Sequence, residues 1–431
     1  MGSNLPRVLL ISSVDPNVGP GVVALEQYNA LKRGGLDVDF LTKYPVDNHP
    51  DFISIYKRPT RLRKLLNWVL SVLHSHTSKL ANTDHFFFYK RETKPTVPVN
   101  DVLKRIVKPY DVVYILFWQG VLSFAHIEAI HDKLKCQIQF RCVDYSPIAG
   151  GCHFLGDCTR YQTGCGMCPG IESNREDDFT RFNVEFRKRV YEKVKPVVYG
   201  NTYMNSFYRK SFLLKDYDRL EVAFPLSDNV KFHPLDQEVA RKKYGIQKDN
   251  AFVVLFGCQS LGEARKGMAY LLESLKLFYD SLREEEREKV LLVIIGRDIN
   301  SIKNSLYFDY KYLGFVSPED LPAIYSMASV YLSPSVNDAG PSMVNQSMSC
   351  GTPVVSFEMG TALDVVKDKG TGYCAALRDS DDFAKGISTL FHMSAPEYEN
   401  VRVRCREVAL ELTSEEAFVA NFLRVFEKYK A

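Results

Sequence analysis

Val330-Tyr-Leu-Ser-Pro-Ser-Val336-Asn-Asp338-Ala-Gly340-Pro-Ser342-Met-Val-Asn-Gln346-Ser-Met-Ser-Cys350-Gly-Thr-Pro353-Val-Val-Ser-Phe357 decides how this chain is read. Its ends, 330–333 and 353–357, are short runs of β-branched, aromatic and aliphatic residues. The middle, 342–350, has the spacing of a short helix. Strand, loop, helix and strand in succession imply neighbouring strands of a parallel sheet. Asp338 falls in the loop at the carboxyl end of the first strand. Gln346 falls on the following helix, so the two could reach opposite ends of one ligand. Gly340 would permit close backbone approach, and the N–H groups near Ser342 would point at an anion or a sugar hydroxyl.

The same alternation extends in both directions. Upstream, 252–256 and 290–295 read as strands, with helices at 268–282 and 317–327. Downstream, 380–430 reads as mainly helical. The first half repeats the theme: strands at 7–12, 38–41, 111–116, 137–141, 197–198 and 220–223, and helices at 22–33 and 123–134. Gly34-Gly35 ends the first of these helices, as glycine often does. Two such series, joined near 228–234, predict an α/β protein of two Rossmann-like domains with parallel sheets facing a central cleft. The expected boundaries are 1–225, 226–410 and a C-terminal helix, 411–431, crossing back to the first domain.

A second loop carries charge. Phe256-Gly257-Cys258 ends a strand and leads through Arg265-Lys266-Gly267 into a helix. Two cations and exposed N–H groups at a helix start suit a diphosphate. Read alone, the pair could equally be a solvated helix start.

Together these segments make the chain resemble a family 4 glycosyltransferase of the GT-B fold. That family has a Glu-x7-Glu motif followed by a Cys-Gly-Thr-Pro-Val-Val-like segment. Cys350–Val355 match the second part, and Asp338 and Gln346 fall on the two Glu positions. The similarity includes Gly19-Pro20-Gly21 after the first strand and Gly314-Phe-Val-Ser-Pro-Glu-Asp-Leu321 before Tyr325. Gly150-Gly-Cys-His153 and Gly164-Cys-Gly-Met-Cys-Pro169 resemble bacterial members that build capsule, exopolysaccharide or O-antigen repeats.

The resemblance implies a retaining glycosyltransferase that moves a sugar from a UDP- or GDP-sugar to a lipid-linked oligosaccharide, with no cofactor required for the chemistry. It implies that Arg265 and Lys266 neutralise the departing diphosphate, that Asp338 contacts the donor sugar and that Gln346 binds the ribose. Gly19, Gly21, Asp144, Gly257, Gly340, Ser342 and Met343 complete the implied donor site. The sequence departs from the family at Asp338, Gln346, Val143 (a His in relatives) and Cys258-Gln259 (where an Arg is usual). Those departures keep two alternatives open, a non-catalytic GT-B-like binding subunit and another GT-B enzyme such as a nucleotide-sugar epimerase.

Four cysteines, Cys152, Cys158, Cys165 and Cys168, cluster with Cys-x5-Cys-x6-Cys-x2-Cys spacing. Four thiolates suffice for a structural zinc. Reduced cysteines, a disulfide pair or an iron–sulfur cluster are the other readings.

The whole 431-residue chain has a formal charge of +3, but segment 57–94 carries nine Lys/Arg against two acidic residues, a net +7 that leaves −4 elsewhere. Its stretch 61–73 has an apolar stripe at helical spacing, and Phe86–Tyr89 adds aromatics. This composition fits a helix and loop on an anionic membrane face, against the alternative of a helix packed on the first domain with its cations outward. No run approaches a membrane span, and the small net charge with no recognised motif argues against nucleic acid. The resulting expectation is a cytoplasmic protein peripherally attached to the inner face of the cell membrane.

Overall fold

The computed structural model describes residues 5–17, 21–58, 92–141, 144–222, 226–246, 252–338 and 340–430. The basic stretch 59–91, Gly19 and Val143 lie outside them. The chain divides into two compact units. The first comprises Met1–Gly200, Met204–Ala223 and Val419–Ala431, and the second Asn201–Tyr203 and Phe224–Phe418.

The first unit is built on β1 (Arg7–Ile11), β2 (Asp37–Thr42), β3 (Ile53–Ser54), β4 (Val112–Ile115), β5 (Gln137–Arg141), β6 (Val197–Gly200) and β7 (Leu220–Val222). They pair in the order β3-β2-β1-β4-β5-β6-β7, all parallel. Val8–Ile11 and Val112–Ile115 are almost wholly excluded from solvent, as expected of central parallel strands covered on both faces. The covering helices include α1 (Gly21–Arg33), α2 (Phe124–Leu134) and α3 (Phe179–Val194).

The second unit uses β8 (Phe252–Ser260), β9 (Val290–Arg297), β10 (Tyr310–Gly314), β11 (Val330–Ser333), β12 (Val354–Phe357) and β13 (Gly372–Ala375) in the order β10-β9-β8-β11-β12-β13, again all parallel. Helix α4 (Met268–Ser281) follows β8, and α5 (Ser342–Ser349) follows β11. The sheet order reverses between β8 and β11, and in open α/β sheets the carboxyl ends of such a strand pair form a crevice. The predicted helix at 317–327 is shorter, Leu321–Met327, with Pro322 in its first turn.

Helix α6 (Ala395–Thr413) buries Cys405, Val408 and Ala409 in the second unit's core. Only from Val419, within α7 (Glu415–Lys428), does the chain join the first unit, later than the boundary at 411 expected from sequence. There Phe422 packs edge-on against Tyr114, with ring centroids 5.5 Å apart. Glu221, nearly buried, accepts hydrogen bonds from Arg424 (2.8 Å), Lys428 (2.7 Å) and the Tyr429 hydroxyl (2.8 Å). Burial disfavours the Glu221 charge, but Lys428, Arg424 and Tyr429 more than offset it and hold the carboxyl below its ordinary value.

Because the folded value is depressed, this contribution to stability is present above the unfolded pKa of ~4.3 and is lost as pH falls through the folded one. Glu221→Gln is expected to cost about 1.5–3 kcal/mol at pH 7, the range for hydrogen bonds to a charged group. The difference from the parent chain should shrink toward zero at pH 3, as read by urea unfolding at the two pH values.

Candidate functional site

In the second unit the loops after β8 and β11 meet. Gly267 has φ +72°, and a Cβ there would stand 1.8 Å from the Pro334 carbonyl oxygen. Only glycine allows both the left-handed conformation and that approach. The contact is fastened by the Arg265 carbonyl, which accepts from Val336 N at 3.0 Å and Asn337 N at 3.3 Å.

The consequence is electrostatic. Asp338 Oδ2 lies 3.0 Å from an Arg265 guanidinium nitrogen and 2.5 Å from Lys266 Nζ, while its Oδ1 accepts from Gly340 N at 3.2 Å. Burial opposes the Asp338 charge, and Lys266, then Arg265 and the Gly340 amide, outweigh that and keep the carboxyl below the usual range. Asp338 is therefore ionised at neutral pH, with two cations gathered on one oxygen.

Beside this cluster opens a pocket of about 730 Å³, open to solvent, at the switch point of the sheet. Gly257, Arg265, Lys266, Ser342 and Met343 line it. Cys258 and Gln259, standing where the resembled family has its Arg, line it too, so that wall lacks the extra cation. Sequence reasoning passed over Tyr331, Ser333, Ser335 and Glu263 as lining residues. The signal for the three on β11 and its loop was position alone, at the carboxyl end of a central strand.

Gln346 stands one turn beyond Ser342 on α5, and its Oε1 accepts from the Tyr325 hydroxyl at 3.0 Å. Gly340 has room for a Cβ, with Asn201 Nδ2 at 3.4 Å as the nearest atom. Between the two loops the glycine that enforces close approach is Gly267, and near the end of β8 Gly257, where a Cβ would stand 2.1 Å from the Ile295 carbonyl oxygen, enforces another.

Two further candidates belong to the first unit. A Cβ on Gly21 would stand 1.9 Å from the Asp15 carbonyl oxygen, so the turn before α1 itself requires glycine there. Asp144 is buried. Its Oδ2 accepts from Gln119 Nε2 at 2.6 Å and lies 2.6 Å from His153 Nδ1, and its Oδ1 accepts from Ser146 N at 2.8 Å. The imidazole beside Asp144 thus comes from nine residues downstream, whereas the residue before it in sequence is Val143.

The four clustered cysteines are free thiols lining one small pocket. Among the described residues no set of three or more His, Cys, Asp or Glu side chains is assembled to hold a metal ion. No described helix is long and apolar enough to cross a membrane.

Residues 236–409 match the family model for glycosyl transferases group 1. An uncharacterized glycosyltransferase of Methanocaldococcus jannaschii is 26% identical over 154 residues, 34% of this chain and 37% of that protein. The chain spans well under half the length of the first curated relatives it matches, 37% to 43%. Among solved structures, sucrose-phosphate synthase from Thermosynechococcus elongatus superposes with TM-score 0.65 at 18% identity, over 98% of both chains. Anabaena HepE in complex with UDP gives 0.64 at 13% identity, over 98% of this chain and 100% of that one. The fold is GT-B.

Gly267→Ala is expected to destabilise the second unit by more than the ~1–2 kcal/mol of a left-handed alanine alone, because the Pro334 carbonyl must also move. Gly262→Ala, where a Cβ meets nothing within 4 Å, is the control that should leave thermal unfolding unchanged.

Proposed function

We propose that the chain is a nucleotide-sugar-dependent glycosyltransferase whose donor diphosphate lies on Arg265 and Lys266. The observation that carries this reading is the cation pair at the mouth of a switch-point pocket, inside the segment that matches glycosyl transferases group 1. The complex of Anabaena HepE with UDP, a protein of the same fold, supports a nucleotide-linked donor.

Cleavage of the sugar–phosphate bond builds negative charge on the departing diphosphate. Preorganised cations at that point stabilise the transition state more than the ground state. Asp338 now pairs with both cations, and Glu263 pairs with Arg265 as well. A diphosphate carries more charge and more acceptor oxygens than one carboxylate, so it displaces Asp338 from the cations. The freed carboxylate then accepts from donor-sugar hydroxyls, the role that the resemblance implies for it. Gln346, its oxygen engaged by Tyr325, presents its amide N–H groups to ribose oxygens.

The finer reading is retention of anomeric configuration and a lipid-linked oligosaccharide acceptor in cell-surface polysaccharide synthesis, with the protein on the inner face of the cell membrane. The support for it is the resemblance of Gly150–His153 and Gly164–Pro169 to such enzymes and the +7 charge of segment 57–94. The product anomer, read by NMR, and flotation with anionic vesicles test these two points separately.

Thermal-shift screening against UDP-, GDP-, dTDP- and CMP-sugars should identify one stabilising donor. Folded protein that responds to none of them would overturn the reading. Lys266→Ala should weaken nucleoside diphosphate binding about 10- to 100-fold, the equivalent of one charge-assisted hydrogen bond, as measured by calorimetry. Undiminished affinity would remove the diphosphate from this loop.

A further inference from the structure

We propose that Cys152, Cys158, Cys165 and Cys168 form a structural tetrathiolate zinc site in the first unit. All four line one small pocket together with Gly150, Gly166 and Thr180, and all are free thiols. The spacing of the last pair, Cys165-Gly-Met-Cys168, is the tight knuckle of structural zinc sites.

The backbone of that knuckle is unusual. Gly164, Cys165, Gly166 and Met167 all have positive φ, at 95°, 60°, 82° and 43°. Two of these residues carry side chains, and L-residues adopt this conformation rarely and at a cost. Contacts on every side hold the turn. Cys165 N donates to Arg160 O at 2.8 Å, Gly166 N to Thr180 Oγ1 at 3.1 Å, Met167 N to Arg175 O at 2.7 Å and Cys168 N to Asp178 Oδ2 at 2.9 Å. Asp178 is also the N-cap of α3, accepting from Thr180 N at 2.8 Å.

The Cys152 side is tied to the same helix, since Gly150 O accepts from Asn183 Nδ2 at 2.7 Å. Four cysteines lining one pocket, with the chain held at Gly150 and at 165–168, give the donor set of a structural zinc site. The thiols do not stand as a finished ligand set, so loading requires their side chains to turn toward the ion. Four sulfurs close a tetrahedron and leave no position for substrate, so the role is structural. Loading would fix Cys152, and with it His153, beside Asp144.

Metal analysis of the full chain, purified under reducing conditions without added metal, should find about one zinc per chain. Cobalt(II) exchanged into the protein should give the visible and charge-transfer absorption of a tetrahedral thiolate site. Cys158→Ser and Cys168→Ser should each lose that spectrum, and Cys374→Ser, in β13 of the second unit, should keep it. If the two variants do not fold, zinc released from the parent chain by a thiol-specific mercurial, titrated with a chromogenic chelator, carries the test. Stoichiometric iron, disulfides among these cysteines by mass spectrometry, folded protein that binds neither zinc nor cobalt, or an unchanged spectrum in the folded variants would each overturn the proposal.

Discussion

The join between the loops after β8 and β11 depends on one steric condition, that no atom occupy the Cβ position of residue 267. With glycine there, the loop after β8 lies against the Pro334 carbonyl of the loop after β11. The parallel sheet places the carboxyl ends of these strands side by side, and the glycine removes the remaining gap. Two cations from one loop then reach a carboxylate more than seventy positions away in sequence. The pocket is a by-product of the strand order, but its charge comes from this contact.

The first unit is organised around a buried ion pair. Arg187, on α3, and Glu92 are both fully excluded from solvent. The guanidinium also donates to the carbonyls of Ser146 and Ala149 and lies over the rings of Trp118 and Phe124 at 5.7 and 5.0 Å. Glu92 in turn accepts from Phe124 N at 2.8 Å, at the start of α2. Taking two charges out of water costs several kcal/mol per ion, which a pair repays only when its remaining hydrogen-bonding groups are also satisfied. Here those hydrogen bonds fix the segment 146–149, immediately after Asp144. Helix α3 thus anchors the Asp144 segment through Arg187 and the cysteine turn through Asp178.

Most strands were legible in the sequence, because central parallel strands are continuous apolar runs. The edge strands β10 and β13 were not: Tyr310-Lys-Tyr-Leu-Gly314 is half exposed and reads as neither pattern. Helix α3 escaped for a sharper reason. Its sequence is rich in charge, and a hydropathy reading turns Arg187 toward solvent, whereas the folded chain buries it against Glu92. In the site, the cation loop and the Asp338 loop could each be recognised, but their pairing depends on a contact distant in sequence. Gly340 drew attention as part of a motif, whereas the steric demand falls on Gly257 and on Gly267, which ends the cation loop. The imidazole next to Asp144 was invisible for a related reason, since adjacency in sequence pointed to position 143 and the turn through 146–153 supplied His153.

The return of the chain at Val419 gives the molecule a temporal order as well as a spatial one. Tyr114 and Glu221 are synthesised long before Phe422, Arg424 and Lys428, which complete their surroundings. At ~5–20 residues per second, the intervening second unit, Phe224–Phe418, takes roughly 10–40 s to emerge from a ribosome. During that interval the first sheet is translated in full yet lacks its last helix. The second unit, continuous apart from three residues, can fold first. The first unit is therefore the last to be completed, although its sheet is translated first.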